Sequence, residues 1–289
     1  RGDIQVLNSC RVRVYNLTRE TAYRAMKEFK RLVLQAGYEG NYGIIFDGTI
    51  VQARFGRENQ TDTYLDITAA DGDSAYNFAT IFTSLAAGST SHDHINACVA
   101  SMEPHGVSTG YIPEFESRPL PRGKVMCGMT RDFMRAIVQT EQSAWSIQDG
   151  KVQVVRETGY KPGDVIAVNS SSGMVGVPTQ TQNGVTVRML LNPYVKISQL
   201  IALDNRAVQQ FEYSLALPDQ AQMLAAQLHN KLGADGLYYV MVAKHWGDTR
   251  GNEWYTEATC LGADAVVAAE YLPSRVTPPA NVVVVKQYP

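Results

Sequence analysis

Apolar and polar residues alternate from near the start of the chain. Cys10, Val12 and Val14 fall on one side and Arg11 and Arg13 on the other, the two-residue period of a half-buried strand. Residues 18–36 carry two periods at once. Ala22, Met26, Phe29 and Val33 recur at three- and four-residue steps, whereas Leu32, Leu34 and Ala36 alternate. Pattern alone favours a helix throughout this stretch. Residues 43–54, rich in Ile, Val and Phe, predict a strand with Gly48 as a candidate bulge. A polar loop at 56–60 follows. Tyr64, Asp66 and Thr68 then alternate with Leu65, Ile67 and Ala69 in a second strand.

Asp73 is a good N-cap for a predicted helix that puts Ala75, Phe78, Ala79, Phe82 and Leu85 on one face and stops at Gly88. Ser91 is the candidate cap of a second short helix carrying Ile95, Cys98, Val99 and Met102. Proline and glycine punctuate 104–123, which makes that stretch the best candidate domain boundary. Thr130 opens a helix with Phe133, Met134, Ile137 and Val138 apolar. Residues 145–155 predict a hairpin turning at Asp149-Gly150. Residues 165–168, 185–191 and 197–203 are strand-like. Pro218 and Asp219 start a strongly periodic helix (Ala221, Leu224, Ala225, Leu228, Leu232) that Gly233 ends. A hairpin follows, 237–244 and 254–261 around the loop 246–252. The C-terminal stretch has prolines at 273, 278 and 279 and a short valine run at 282–285, the pattern of an arm.

One stretch echoes another. Residues 43–72 run strand, polar Gly/Arg/Asn loop, strand and Gly/Asp turn. Residues 236–264 do the same, with Trp254 and Tyr255 standing near the place of Tyr64. Identities are few, so the sequence supports either a structural repeat or two unrelated hairpins in a β-rich protein.

Composition narrows the classes. The 289 residues are 45% apolar and 19% charged, enough to bury a core and fill one large domain or two to three small ones. Lys plus Arg is 26 and Asp plus Glu 28, a formal charge of −2, without the basic excess of a chain dedicated to neutralising phosphates. The low charge density suits a surface that lies largely against other protein. No apolar run reaches the roughly 18 residues of a membrane span, and the first residues show no apolar leader. The four cysteines, Cys10, Cys98, Cys127 and Cys260, have no CxxC spacing and read as small core residues.

Candidate chemistry is thin. No phosphate loop, dinucleotide fingerprint, nucleophile elbow or HExxH is present. His92-Asp93-His94 is the nearest approach to a metal motif, but at a helix start the two histidines do not share a face, and a solvated helix N-terminus is the simpler reading. Asp47, Asp66, Asp71 and Asp73 lack calcium-loop spacing and read as turn acids and a helix cap. No catalytic residues, cofactor site or metal site are assigned. Trp246, Asp248, Arg250, Asn252 and Trp254 have the composition of a sugar-binding loop, and equally that of a hairpin tip with structural tryptophans.

Whole strings say more than spacings. Val12-Arg13-Val14-Tyr15-Asn16-Leu17-Thr18, Leu34-Gln35-Ala36-Gly37-Tyr38-Glu39, Ile45-Phe46-Asp47-Gly48-Thr49-Ile50 and Ala69-Ala70-Asp71-Gly72-Asp73-Ser74-Ala75-Tyr76-Asn77 come first. Arg122-Gly123-Lys124-Val125, much of 169–193, Gly236-Leu237-Tyr238 and Gly247-Asp248-Thr249-Arg250-Gly251-Asn252 follow in order. Together they resemble the baseplate hub proteins of tailed bacteriophages, the central hub between tail tube and spike of contractile tails. Related hubs occur in some non-contractile tails.

The resemblance implies a β-rich α+β fold with two tail-tube-like β-barrel domains joined by a small α/β domain. The boundaries would be 1–115 for the first barrel, 116–165 for the connecting domain, 166–265 for the second barrel and 266–289 for an arm. It also implies that 29–36 is a strand after a short helix, against the helical count. The strand expected before Val12 is missing or reduced to 4–7, so the first barrel would be shorter or completed by another chain.

The implied function is structural and non-enzymatic: a homotrimer seating the hexameric tail tube on the trimeric central spike and forming part of the DNA channel. Partners would be the tube protein, the spike protein, other baseplate proteins and the tape measure protein, with genomic DNA passing without specific binding. The implied location is the virion tail, assembled in the host cytoplasm. Arg57, Asn59, Trp246, Asp248, Arg250 and Trp254 are the candidate interface residues, because exposed aromatic and Arg side chains anchor interfaces. The alternatives are a tail-tip peptidoglycan hydrolase, which needs a carboxylate pair or zinc site, and a carbohydrate-binding receptor protein built on the 246–254 loop.

Overall fold

A computed structural model describes residues 7–116, 118–181, 184–204, 208–209, 236–263 and 282–283. The fold is β-rich α+β. The described residues form two compact units, one of 7–35 with 44–154, the other of 36–43 with the chain from 155 onward. The expected helix at 218–232, nearly all of the candidate strand at 4–7 and most of the C-terminal arm lie outside the described residues.

The first unit opens with β1 (Ser9–Tyr15), whose odd-numbered residues are exposed and even-numbered ones half-buried, as the alternation requires. Helix α1 (Arg19–Lys27) is capped by Thr18, whose hydroxyl accepts from the Thr21 N–H at 3.3 Å. Its buried Ala22 and Ala25, and Tyr23 with its ring 6.4 Å from that of Phe55, set it against the apolar face of the sheet. Strand β2 (Arg31–Tyr38) follows, so the helical count over 18–36 gives way to a short helix and a strand. Long β3 (Asn41–Arg57) and β4 (Thr63–Ala70) complete a sheet of order β1-β4-β3-β2.

The β3–β4 ladder slips by one residue between Ile50 and Gln52, so the bulge is at Val51, not at Gly48. Gly48 has another reason: a Cβ there would stand 2.6 Å from the Ala70 carbonyl oxygen.

Helix α2 is short (Asp73–Phe78), and Asp73 is its first residue, with Gly72 in the left-handed region as the cap. Strand β5 (Thr80–Leu85) takes over where the sequence predicts more helix. The stretch Thr80-Ile81-Phe82-Thr83 is β-branched and aromatic, and it gains an antiparallel ladder with Lys124–Met129 that a lone helix would lack. Ile81 is therefore buried, while Phe78 and Phe82, expected in the core, are 68% and 72% exposed.

Helix α3 (Ser91–Met102) starts one residue earlier than predicted. Thr90 is its cap, in a reciprocal capping box with Asp93. Strand β6 (Ser108–Thr109), β7 (Lys124–Met129), α4 (Thr130–Thr140), β8 (Ser143–Gln148) and β9 (Lys151–Arg156) complete the unit. The β8–β9 turn uses Asp149 and Gly150, both at positive φ, as the dipeptide predicts. Ile95, Val99, Met102, Met126, Met134, Val138, Trp145 and Val152 share one core, which runs without a break across the glycine- and proline-rich stretch.

The second unit is a seven-stranded sheet. Its strands are β10 (Val165–Val168), β11 (Thr179–Thr181), β12 (Gly184–Leu190), β13 (Leu200–Leu203), β14 (Leu237–Gly247), β15 (Trp254–Gly262) and β16 (Val282–Val283). Their order is β11-β12-β15-β14-β13-β10-β16. Strand β13 starts at Leu200, since the 191–199 segment is not extended into the ladder. Val185, Val187, Met189, Val240, Ala258 and Cys260 line the core on one face.

Candidate functional site

The four-stranded sheet recurs inside the seven-stranded one. Order β1-β4-β3-β2 corresponds to β12-β15-β14-β13, with the same antiparallel neighbours around the central hairpin. The bulges coincide as well. In β14–β15 the slip lies between Val240 and Val242, as in β3–β4 between Ile50 and Gln52. From bulge to tip each ladder has six pairs: Gln52–Arg57 against Thr63–Thr68, and Val242–Gly247 against Trp254–Thr259. Only the connecting loops differ, 58–62 in one and 248–253 in the other. Where the outer strand leaves, the Asn16 N–H donates to the Thr63 carbonyl at 2.9 Å and the Leu191 N–H to the Trp254 carbonyl at 3.1 Å.

This register aligns side chains that the sequence comparison left apart. Arg54 and Asp66 face each other across the first hairpin, and Arg13 lies opposite Asp66 on the outer strand. Lys244 and Glu257 face each other across the second, and Arg188 lies opposite Glu257. Tyr64 and Tyr255 take the same place. The Arg13 guanidinium stacks 4.4 Å over the Tyr64 ring; that of Arg188 lies 5.2 Å from Tyr255 and 5.0 Å from Trp246. Each repeat thus carries a cation–acid–cation row on the face away from the apolar core.

The first row is the stronger. Asp66 Oδ1 accepts from Arg13 Nε at 2.7 Å, and Oδ2 accepts from Arg11, Arg13 and Arg54 at 3.0–3.1 Å. The carboxylate is nearly covered, with 1% side-chain exposure, under arginines that keep 61%, 32% and 56%. Hydrogen bonding to Arg13 above all, then to Arg11, outweighs desolvation and holds Asp66 well below the usual carboxylate range. In the second row Lys244 Nζ is 4.0 Å from Glu257 Oε1, a looser and wetter pair. On the same face as the first row, Arg31 forms a two-pronged pair with Asp47 at 2.6 and 2.8 Å. Asp47 and Asp66 are thus strand acids under arginine, not turn acids. Asp71 does serve a turn, accepting the Asp149 and Gly150 N–H groups at 2.6 and 3.0 Å.

The candidate interface residues gather at the two hairpin tips. Arg57 ends β3, and Asn59 Oδ1 accepts from the Thr61 and Asp62 N–H groups at 2.8 and 2.6 Å, folding the loop on itself. Asp248 does the same for Arg250, whose N–H it accepts at 2.9 Å; both are exposed. The two tryptophans are half-buried. Trp246 packs edge-on against Tyr255, and the Trp254 indole N–H donates to the Gly37 carbonyl at 3.1 Å. Gly247 lies opposite Trp254, and a Cβ there would collide with the indole ring.

Sequence reasoning missed Asp66, Arg188, Lys244 and Glu257 as a matched set. Aligning the two hairpins at their bulges would have paired Asp66 with Glu257 and Arg54 with Lys244. Nothing in the chain announced that Arg13 and Arg188 complete the rows.

His92 and Asp93 are exposed at the start of α3, as a solvated helix N-terminus requires, but His94 is buried, its Nε2 3.0 Å from Ser89 Oγ. Burial lowers its pKa. Of the cysteines, Cys98 and Cys260 are core residues, the Cys98 thiol being pushed up to about 12 by burial, but Cys127 is exposed. Among the described residues no group of three His, Cys, Asp or Glu side chains is placed to hold a metal ion, and no helix is long and apolar enough to cross a membrane.

The fold is that of bacteriophage tail proteins. The 43 kDa tail protein of prophage MuSo2 from Shewanella oneidensis is similar over 94% of both chains, with a TM-score of 0.53 and 8% identity. A tail protein from Neisseria meningitidis MC58 is similar over 92% of this chain and 93% of its own, with a TM-score of 0.52 and 8% identity. No curated relative matches the sequence. The family model described as Baseplate hub gp41 matches residues 2–208, and the chain belongs to that family of structural phage tail proteins.

Proposed function

We propose that the chain is a trimeric adaptor of the baseplate, seating the hexameric tail tube on the trimeric central spike and contributing to the wall of the DNA channel. The observation that carries this reading is the register-matched repeat. A sixfold tube and a threefold spike meet without mismatch if each of three copies offers the tube two equivalent sheets. Two four-stranded units with the same strand order, bulge and charged row fit that requirement.

In this reading the two units are the tube-like barrels, the first closed with the help of a neighbouring copy. The four segments 1–115, 116–165, 166–265 and 266–289 are then stretches with different roles, although packing divides the chain elsewhere, near residue 154. The hairpin tips with Arg57, Asn59, Trp246, Asp248, Arg250 and Trp254 are the proposed contacts with tube, spike and other baseplate proteins. The tape measure protein would approach from the lumen. Assembly takes place in the host cytoplasm before the hub is carried in the virion tail. No step of catalysis is assigned.

Copy number tests the proposal. Quantitative mass spectrometry of purified tails is expected to give half as many hubs as tube subunits in one ring, with no hub in particles lacking a baseplate. A one-to-one ratio, or hub bound to tail fibres, would overturn it.

A further inference from the structure

We infer that the charged row of each repeat is by itself a phosphate-contacting surface, to which nucleic acid binds weakly and without regard to sequence. This rests on the channel reading above and assigns it residues. A chain of net charge −2 gathers Arg11, Arg13 and Arg54 around the carboxylate of Asp66, with Glu58 3.5 Å from Arg13 as a second acid, and sets Arg188 and Lys244 across from Glu257. The acids lie beneath and the cations outside: Asp66 is 1% and Glu257 28% exposed, against 56% for Arg54 and 65% for Lys244. A molecule approaching either face meets guanidinium and ammonium groups with an excess of positive charge in both rows.

Several features favour a phosphate chain over an acidic protein. Four of the five cations are arginines, whose planar forks match phosphate oxygens. Arg11 and Arg13 share a face two residues apart, about 6.7 Å along the strand. That is close to two base-pair rises along a duplex axis, at about 3.4 Å each. Nothing on the rows is arranged to read base edges. The acids offset part of each row's positive charge, Asp66 and Glu58 in the first and Glu257 in the second, which keeps the hold weak enough to release, as a passage requires.

The test uses the full-length protein and a mixed-sequence duplex of about 30 base pairs, followed by fluorescence anisotropy at about 50 mM salt. Oligomeric state is read in the same samples by light scattering. Binding is expected to weaken about tenfold for Arg11→Glu with Arg54→Glu, and again for Arg188→Glu with Lys244→Glu, with the salt dependence falling in step. Arg118→Glu, at an exposed arginine that belongs to neither row, serves as the control. Arg54→Gln with Lys244→Gln gives a milder loss if the reversals fail to fold. A trimer that ignores the duplex, or binds it equally in all variants, overturns the phosphate surface and leaves the adaptor reading standing. Equal competition by polyglutamate of matched charge assigns the rows to an acidic protein and overturns the nucleic-acid partner.

Discussion

Asp66 shows how a single carboxylate organises a face. Three arginines from two strands converge on it, and it is the one nearly buried charge of the row. Its pKa is lowered in the folded chain, first by the hydrogen bond from Arg13. The unfolded chain therefore takes up the proton first as pH falls, and the stability contributed by Asp66 is present above about pH 4 and is lost below it. Urea midpoints measured from about pH 6 down to about pH 2 should fall more steeply below pH 4 in the wild type than in Asp66→Asn, which starts lower. Parallel curves would contradict the assignment. Asp71 serves geometry instead. Asp71→Ala leaves two backbone N–H groups of the 149–150 turn without their acceptor and should cost about 1–3 kcal/mol, read by denaturant unfolding.

At the scale of elements the two bulged hairpins are the organising feature, and β5 gives the sharpest contrast between neighbouring residues. Ile81 lies in the core whereas Phe82 is exposed. Ile81→Ala should lose about 2–5 kcal/mol and Phe82→Ala no more than about 0.5 kcal/mol in thermal unfolding. A helical 73–85, with Phe82 on its buried face and Ile81 off it, would reverse that order.

Helices α1, α3 and α4 and the hairpins at 145–155 and 237–261 were legible in the sequence, because caps, turn dipeptides and period act within a few residues. Strand β2 was not legible from period, since Ala22, Met26, Phe29 and Val33 imitate a helix; only the resemblance to phage hubs placed it. Strand β5 was missed for a related reason. Its partner β7 lies some forty residues on, and a spacing of apolar residues cannot show a distant ladder. The charged rows were hidden most fully, because each needs three strands in register. Both hairpins were legible, but their bulges, which set the Arg54–Asp66 and Lys244–Glu257 pairs, and the outer strands came only with the fold.

At the scale of the molecule, duplication within one chain would let the proposed threefold assembly present a near-sixfold surface, the geometry the proposed adaptor needs. The most direct measurement is a focused cryo-microscopy reconstruction of the tail end without imposed symmetry. The account expects one ring of three copies beneath the last tube ring, with the β3–β4 and β14–β15 hairpins alternating six times around the axis. A single copy, a ring of six copies, or a ring in which only one of the two hairpins faces the tube would contradict it.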